Sequence, residues 1–374
     1  MKKLLIGTAA VALGLSLAAP AKAEGVKLDV AGHFKGYAVW NDQDTTAGTD
    51  VRELDILRET EIHFTGETTL DNGLTVGAHV ETDLDQSSTD SSGDTSQGID
   101  TDEAYAYFSG AWGRVNFGEE DGAAYLLQVA APSADSNVDG IRSYVNPVAM
   151  DQLGVGFATG GVEVDYDQEI SAKESKVTYI TPVFSGFQAG LSYTPEVDGV
   201  VNDTNGPSTD NNNDDYGDVI DVALRYEGMF EEVGFAFGFG YTAADLEANA
   251  GTATDDRKAW NAGLDLDFGP IGAGIVYKED DREDLGAAAN DEEIWVLGVD
   301  YTTGPYKLGA SYFNADNFNG VADDEVERYA AGVTYTYGPG MTFRGSLNFL
   351  EAEDGSTTAD ADATTLLLGT QINF

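Results

Sequence analysis

A chain of 374 residues with 66 Asp and Glu against 19 Lys and Arg carries a formal charge of −47 at pH 7. Such a surface repels polyanions, so nucleic acid is excluded as a partner, and the absence of cysteine removes both a disulfide framework and thiolate metal sites. Beyond the N-terminus no stretch approaches the roughly 18 consecutive apolar residues of a membrane helix, which leaves strands as the only route into a membrane.

The first element in chain order is a secretory signal. Lys2 and Lys3 precede an apolar run from Leu4 to Ala19, and Ala21-Lys22-Ala23 has the small-x-small form of a cleavage site. Residues 1–23 are therefore expected to be removed. With Lys2, Lys3 and Lys22 gone, the mature chain from Glu24 keeps 16 basic against 66 acidic residues, a formal charge of −50.

A period-two alternation then runs through the rest of the chain. In the first segment Val26, Leu28, Val30, Phe34, Ala38 and Trp40 share one face, and Lys27, Asp29, His33, Lys35 and Tyr37 the other. Similar segments follow at 52–70, 74–85, 101–110, 113–120, 174–184, 186–196, 218–230, 232–246, 257–268, 271–280, 292–302, 305–315, 326–337, 341–352 and 364–374. Many are close to the ten residues of a transmembrane strand, and about sixteen of them predict an all-β, antiparallel transmembrane barrel as a single domain over 24–374.

Connections alternate between short turns such as Asp71-Asn72-Gly73, Gly269-Pro270 and Gly338-Pro339-Gly340 and long stretches rich in Asp, Asn, Gly and Thr. That is the pattern of an up-and-down barrel with one short-turn rim. Aromatic residues flank both kinds of connection: Phe108, Trp112, Phe184, Phe187, Phe230, Phe268, Tyr301, Tyr306 and Tyr337 beside short turns, and Trp40, Tyr193, Tyr241, Tyr277, Tyr312, Tyr329 and Phe349 toward the long loops. Two interfacial girdles would explain them. A secreted β-sandwich also alternates, but a chain of this length would ordinarily be two such domains, and no linker is visible.

Three passages carry a family resemblance: Gly113-Arg114-Val115-Asn116-Phe117-Gly118-Glu119-Glu120-Asp121, Lys176-Val177-Thr178-Tyr179-Ile180-Thr181-Pro182-Val183-Phe184-Ser185-Gly186-Phe187, and the ending Leu368-Gly369-Thr370-Gln371-Ile372-Asn373-Phe374. Together they resemble the general diffusion porins of Gram-negative bacteria. The resemblance implies a sixteen-stranded homotrimeric channel in the cell outer membrane for small hydrophilic solutes and ions. It also implies a third loop folded into the lumen, here from Gly122 to about Ser171, and a terminal aromatic, Phe374, read by the barrel-assembly machinery. Within that stretch Val162 to Tyr166 has the pattern of a short separate strand. Such porins often carry arginines where this chain has Glu61 and Glu119.

Parity assigns the pore-facing side chains, because a Lys or Arg on the lipid face costs roughly 2–4 kcal/mol at the bilayer midplane. His33, Lys35, Glu61, His63, His79, Glu81, Arg114, Asn116, Arg225, Lys307 and Arg344 fall on the wet face, and Glu119, Glu120, Asp121, Asp135, Asp139 and Arg142 are expected at the constriction. In the ninth strand Gly234, Ala236, Gly238 and Gly240 face inward and leave room. The hairpin at Asn72 brings His63 and His79 within about one diagonal. A metal site or a pH-sensitive constriction is one reading of the histidines, and plain polar lumen residues is the other, so the sequence assigns no metal ligand.

Carboxylate-rich loops around Glu279, Asp280, Asp281, Glu283 and Asp284, and from Asn211 to Asp215, offer hard oxygen ligands for loose Ca²⁺ or for bridging to lipopolysaccharide phosphates. A solvated acidic loop is the alternative, and no cofactor is implied. No nucleophile elbow, phosphate loop or Ser-His-Asp pattern points to an enzyme; an outer-membrane lipase using one of the histidines lacks a partner serine, and an adhesin-type barrel would need a plugged lumen. The acidic excess at the pore mouth favours cations.

Overall fold

The computed structural model describes residues 25–46, 49–84, 87–89, 95–97, 100–153, 164–197, 216–247, 255–281, 290–355 and 359–374. The expected signal over 1–23 and the acidic positions at 211–215, 283 and 284 lie outside them. In chain order the strands are β1 (Lys27–Gln43), β2 (Leu54–Thr69), β3 (Thr75–Asp83), a small hairpin of β4 (Ser87–Thr89) and β5 (Thr95–Gln97), β6 (Asp100–Gly110) and β7 (Gly113–Glu119). They continue as β8 (Ser175–Ile180), β9 (Phe187–Val197), β10 (Tyr216–Phe230), β11 (Val233–Leu246), β12 (Arg257–Phe268) and β13 (Ile271–Asp280). The last are β14 (Glu292–Thr303), β15 (Tyr306–Asp316), β16 (Glu325–Gly338), β17 (Met341–Asp354) and β18 (Ala359–Asn373).

All except the β4–β5 hairpin form one closed barrel of sixteen strands, in which each pairs antiparallel with the next and β18 returns to β1. Closure satisfies every edge, as the absence of water in a bilayer requires. The seam runs from Gln43↔Ala363 to His33↔Asn373 and ends with the amide of Phe374 donating to Gly32 O at 3.0 Å. At the short-turn rim Gly73 closes the β2–β3 hairpin with φ 82°, a conformation that favours glycine.

Alternation sorts the side chains as the pleat demands. On β10, Ile220, Val222 and Leu224 are exposed on the outside, while Val219, Asp221 and Ala223 are buried inside. The outer face is an apolar belt, and the aromatics Phe108, Trp112, Phe184, Phe187, Phe230, Phe268, Tyr301, Tyr306 and Tyr337 are exposed beside the short turns. Trp40, Tyr193, Tyr241, Tyr329 and Phe349 are exposed toward the other rim. The strand that falls furthest short of its sequence pattern is the one expected at 174–184, which runs only from Ser175 to Ile180, since Pro182 has no N–H for the ladder.

The long connection from Glu120 to Glu174 turns back into the barrel. It carries two short helices, α1 (Ala123–Leu126) and α2 (Ser136–Asp139). The largest apolar cluster lies between this loop and the inner wall: Ala131, Val148, Met150, Leu153, Val164 and Tyr166 pack against Val276, Ile294, Val296, Phe313, Val326 and Leu350. Burial there replaces water on the inner face of β13 to β17, so strands such as Ile294-Trp295-Val296-Leu297 are apolar on both sides. The described part of the strand expected at 162–166, from Val164 to Tyr166, is not a strand; it lies buried in this packing without regular structure.

Inward glycines set how close the loop can come. A Cβ at Gly238 would lie 2.8 Å from Val129 Cγ2, one at Gly263 2.4 Å from Val129 O, one at Gly298 1.9 Å from Pro132 O, and one at Gly309 2.5 Å from Ala134 N. These glycines on β11, β12, β14 and β15 form a track on which residues 129–134 lie. The room read from Gly238 and Gly240 therefore holds loop backbone.

Candidate functional site

Inside the barrel two surfaces face each other: the wall of β1, β2, β3, β6 and β7, and the loop seated on the opposite wall. On the first, the strand register places His33 opposite Glu61, Lys35 opposite Glu59, and His63 opposite Glu81. The contacts follow. Lys35 Nζ is 2.7 Å from Glu59, His33 Nε2 is 2.8 Å from Glu59 and 3.4 Å from Glu61, and His63 reaches Glu61 at 3.4 Å through Nε2 and Glu81 at 2.7 Å through Nδ1. His79 Nε2 is 3.7 Å from Glu81, and its Nδ1 shares a 2.9 Å hydrogen bond with Thr65 Oγ1. All three histidines of the chain thus stand in one patch, as the hairpin geometry predicted for His63 and His79.

The patch continues along the wall. Arg114 lies over the Tyr107 ring with its Cζ 4.0 Å from the centroid and donates to Asn116 Oδ1 at 2.6 Å. Across the lumen, Tyr144 of the loop lies under Lys35, whose Nζ is 3.2 Å from the ring centroid. The tip of the loop therefore touches the β1 wall.

Most acidic residues expected at the constriction hold structural contacts. Glu120, Asp121, Asp135 and Asp139 are buried; Glu120, Asp135 and Asp139 tie the loop to the wall, and Asp121 braces the loop on itself. Asp135 accepts from Tyr37 Oη at 2.7 Å and pairs with Arg344 at 2.5 Å, and Asp139 accepts from Ser311 Oγ at 2.8 Å. Asp121 pairs with Arg142 at 3.1 Å, and Arg142 also reaches Asp167 and Glu169 at 3.0 Å. Glu120 accepts from Asn116 Nδ2 at 2.7 Å. Burial pushes the Glu120 carboxyl up to about 7; the Asn116 hydrogen bond and then Arg114 act in the opposite direction.

The basic residues do not gather into one opposing wall. Lys35 and Arg344 stand two strands apart across the β1–β18–β17 seam, whereas Arg225 is on β10, where it donates to Gln128 O at 3.0 Å, and Lys307 is on β15, 3.1 Å from Asp300.

Sequence reasoning missed the strongest anchors. Arg328 of β16 is buried and donates to Val138 O at 3.1 Å and Val164 O at 2.7 Å. Lys176 of β8 donates to the carbonyls of Glu120, Ser171, Ala172 and Glu174, those of Ser171 and Ala172 at 3.1 and 2.6 Å. Gln168 of the loop bonds Thr242 and Ala259 O at 2.9 Å and accepts from Asn261 at 2.7 Å. A signal for Arg328 was present: its inward neighbours two positions away are Val326 and Ala330, apolar residues that mark a covered wall.

Between the loop and β2, β3 and β6 remains a cavity of about 570 Å³. Its lining holds seven carboxylates, Glu59, Glu61, Asp83, Asp102, Glu119, Glu169 and Glu174, against two cations, Arg142 and Lys173. Lys173 is paired with Asp102.

A closed sixteen-stranded barrel with an apolar outer belt, aromatic girdles and a loop turned into a polar lumen defines a transmembrane outer-membrane channel. The family model for Gram-negative porins matches residues 7–355, and the chain belongs to that family. It is thus a multi-pass β-barrel of the outer membrane and a porin channel.

Among solved structures, an anion-selective porin from Comamonas acidovorans is 16% identical, with a TM-score of 0.60 over 94% of this chain and 100% of that one. Salmonella typhi OmpF in complex with daunomycin is 17% identical, with a TM-score of 0.59 over 93% and 97%. An engineered variant of the Rh. blastica porin is 16% identical, with a TM-score of 0.59 over 93% and 100%. At these identities the likeness concerns the fold. Among curated proteins none matches the sequence.

Proposed function

We propose that the protein is a diffusion pore for small hydrophilic solutes and ions that prefers cations. The observation that carries the reading is the cavity between loop and wall, lined by seven carboxylates and two cations. A mouth of one sign concentrates counter-ions, and low-dielectric walls focus the field. At physiological salt the Debye length of about 8 Å lets wall charge act across a pore of this kind. The Comamonas acidovorans porin shares the fold and is anion-selective, so the sign of selectivity has to come from the wall charges. Liposomes and planar bilayers test this directly: across a potassium chloride gradient the reversal potential takes the sign of potassium preference and shrinks as salt rises. Chloride preference would overturn the proposal.

The same reading includes cleavage after Ala23, assembly as a homotrimer, recognition of Phe374 by the barrel-assembly machinery, and contact of the acidic loops with lipopolysaccharide. Resemblance to the porins supports the trimer, and cross-linking in detergent that stops at one chain would count against it. Loose Ca²⁺ at Asp280 has little support, because Arg257 already holds that carboxylate at 2.7 Å.

A further inference from the structure

We propose that His33, Glu61 and His63 form a binding site in the channel wall for a divalent transition-metal ion of the zinc type. The three side chains belong to neighbouring strands, and register alone brings them together: His33 is directly opposite Glu61, and His63 is two residues further along the same inward row of β2. Both histidine Nε2 atoms lie 3.4 Å from the same carboxylate atom, Glu61 Oε2. Ligands about 2.0–2.1 Å from a tetrahedral ion sit about 3.3 Å from one another, so two edges of the coordination triangle already have the required length. The third edge, between the two Nε2 atoms, is at most 4.8 Å, so the two rings close on an ion by no more than about 1.5 Å to complete the triangle.

For His63 the partner atoms select a metal-competent tautomer, whereas His33 Nε2 lies 2.8 Å from Glu59 and takes an ion by giving up that hydrogen bond and its proton. His63 Nδ1 lies 2.7 Å from Glu81 Oε2, and a proton on Nδ1 donated to that carboxylate leaves the Nε2 lone pair aimed at Glu61. Such an imidazole–carboxylate pair behind a metal ligand orients the ring and raises its basicity. Two imidazoles and one carboxylate suit borderline ions such as Zn²⁺, Ni²⁺ or Cu²⁺; Mg²⁺ and Ca²⁺ prefer all-oxygen sets. Three protein ligands leave a fourth position for lumen water, the arrangement of an exchangeable site.

A second set, His63, His79 and Glu81, has its atoms equally close but uneven separations of 2.7 and 3.7 Å. It would use the other nitrogen of His63. A neutral imidazole coordinates through one nitrogen while the other keeps its proton, so the two sets share one ion and do not hold two.

The proposal goes beyond channel function, and its test does not need the channel to conduct. Isothermal titration of the folded protein in detergent with zinc chloride, in a background of magnesium chloride, is expected to show one saturable ion per chain that magnesium does not displace. His63→Gln removes a ligand from both sets and should abolish that class. His33→Gln should weaken it at least tenfold, and Glu81→Gln about tenfold, the scale of losing an outer-shell partner. Should His63→Gln fail to fold, the double variant His33→Gln/His79→Gln leaves no set with two histidines and must also lose the class. Zinc binding unchanged in these variants, or displaced by magnesium at equal concentration, would show adventitious binding to carboxylates and overturn the proposal.

Discussion

Arg328→Met removes the guanidinium that holds the loop by two carbonyls while keeping an unbranched, apolar side chain of similar reach. Val138 O and Val164 O lose donors at 3.1 and 2.7 Å in a buried site. The single Ser143 hydroxyl, 3.2 and 3.3 Å from these two oxygens, can serve only one of them at a time; the other buried acceptor, left without a donor, costs about 1–3 kcal/mol, and docking of the loop weakens by about that much. Even the lower figure is a shift of about 5-fold in the docked population. The loss of positive charge beside buried Asp139 acts in the same direction, because burial already raises that carboxyl above its ordinary value and Arg328 is the main group opposing the rise. The barrel, whose strand pairing does not involve the guanidinium, should keep its thermal stability. Single-channel recording reads the effect: open-channel noise rises and brief current excursions appear, while the circular dichroism melting curve in detergent stays where it was. A quiet channel with unchanged mean conductance would refute the assignment of Arg328 as the anchor.

The other consequences are read in similar assays. Gly298→Ala places a methyl 1.9 Å from Pro132 O, so the loop must retreat into the lumen by more than about 1 Å to restore ordinary van der Waals contact; conductance is expected to fall, and an unchanged value would mean that the track does not set the loop's position. For Glu120 the folded carboxyl sits at about 7 against an ordinary 4.5, so the native state holds the extra proton and stability falls as pH rises through that window. The difference corresponds to about 3 kcal/mol. Melting temperatures at pH 5 and pH 8 should differ more in the wild type than in Glu120→Gln, and equal slopes would contradict this. Deleting Phe374 removes the residue whose backbone closes the seam at Gly32, and the expected outcome is unfolded periplasmic protein; normal yield in the outer membrane would count against a role in assembly.

The barrel was legible because the pleat has a period of two and lipid admits only one kind of face. Ile220, Val222 and Leu224 could not have pointed inward without exposing Asp221 to the bilayer. The loop was legible only as an interruption. Its path depends on contacts far apart in sequence, such as Gln168 with Asn261 and Tyr37 with Asp135, for which no periodicity exists. Parity treats every inward residue alike, so it does not separate Lys35, which meets the loop through the Tyr144 ring, from Arg328, which lies under the loop and holds two of its carbonyls. What distinguishes them is the inward neighbourhood: Val326 and Ala330 flank Arg328, whereas His33 and Tyr37 flank Lys35. For the same reason the sequence placed Asp135 and Asp139 in the loop without their partners, Tyr37 and Arg344 for the one and Ser311 for the other. The histidine patch was half legible, since a hairpin fixes His63 against His79, but His33 joins only through the β1–β2 register.

Removing Ala131 to Asn146 tests the central claim most directly, namely that the polar lumen is open and that the loop seated on the glycine track narrows it. The excised segment includes α2, Asp135, Asp139, Arg142 and Tyr144, and so removes the contacts with Tyr37, Arg344, Ser311 and Lys35 together. Single-channel conductance in planar bilayers is expected to rise well above that of the intact protein, with a weaker preference for cations. Conductance equal to that of the intact channel would contradict the account, because the loop would then lie outside the path of the ions.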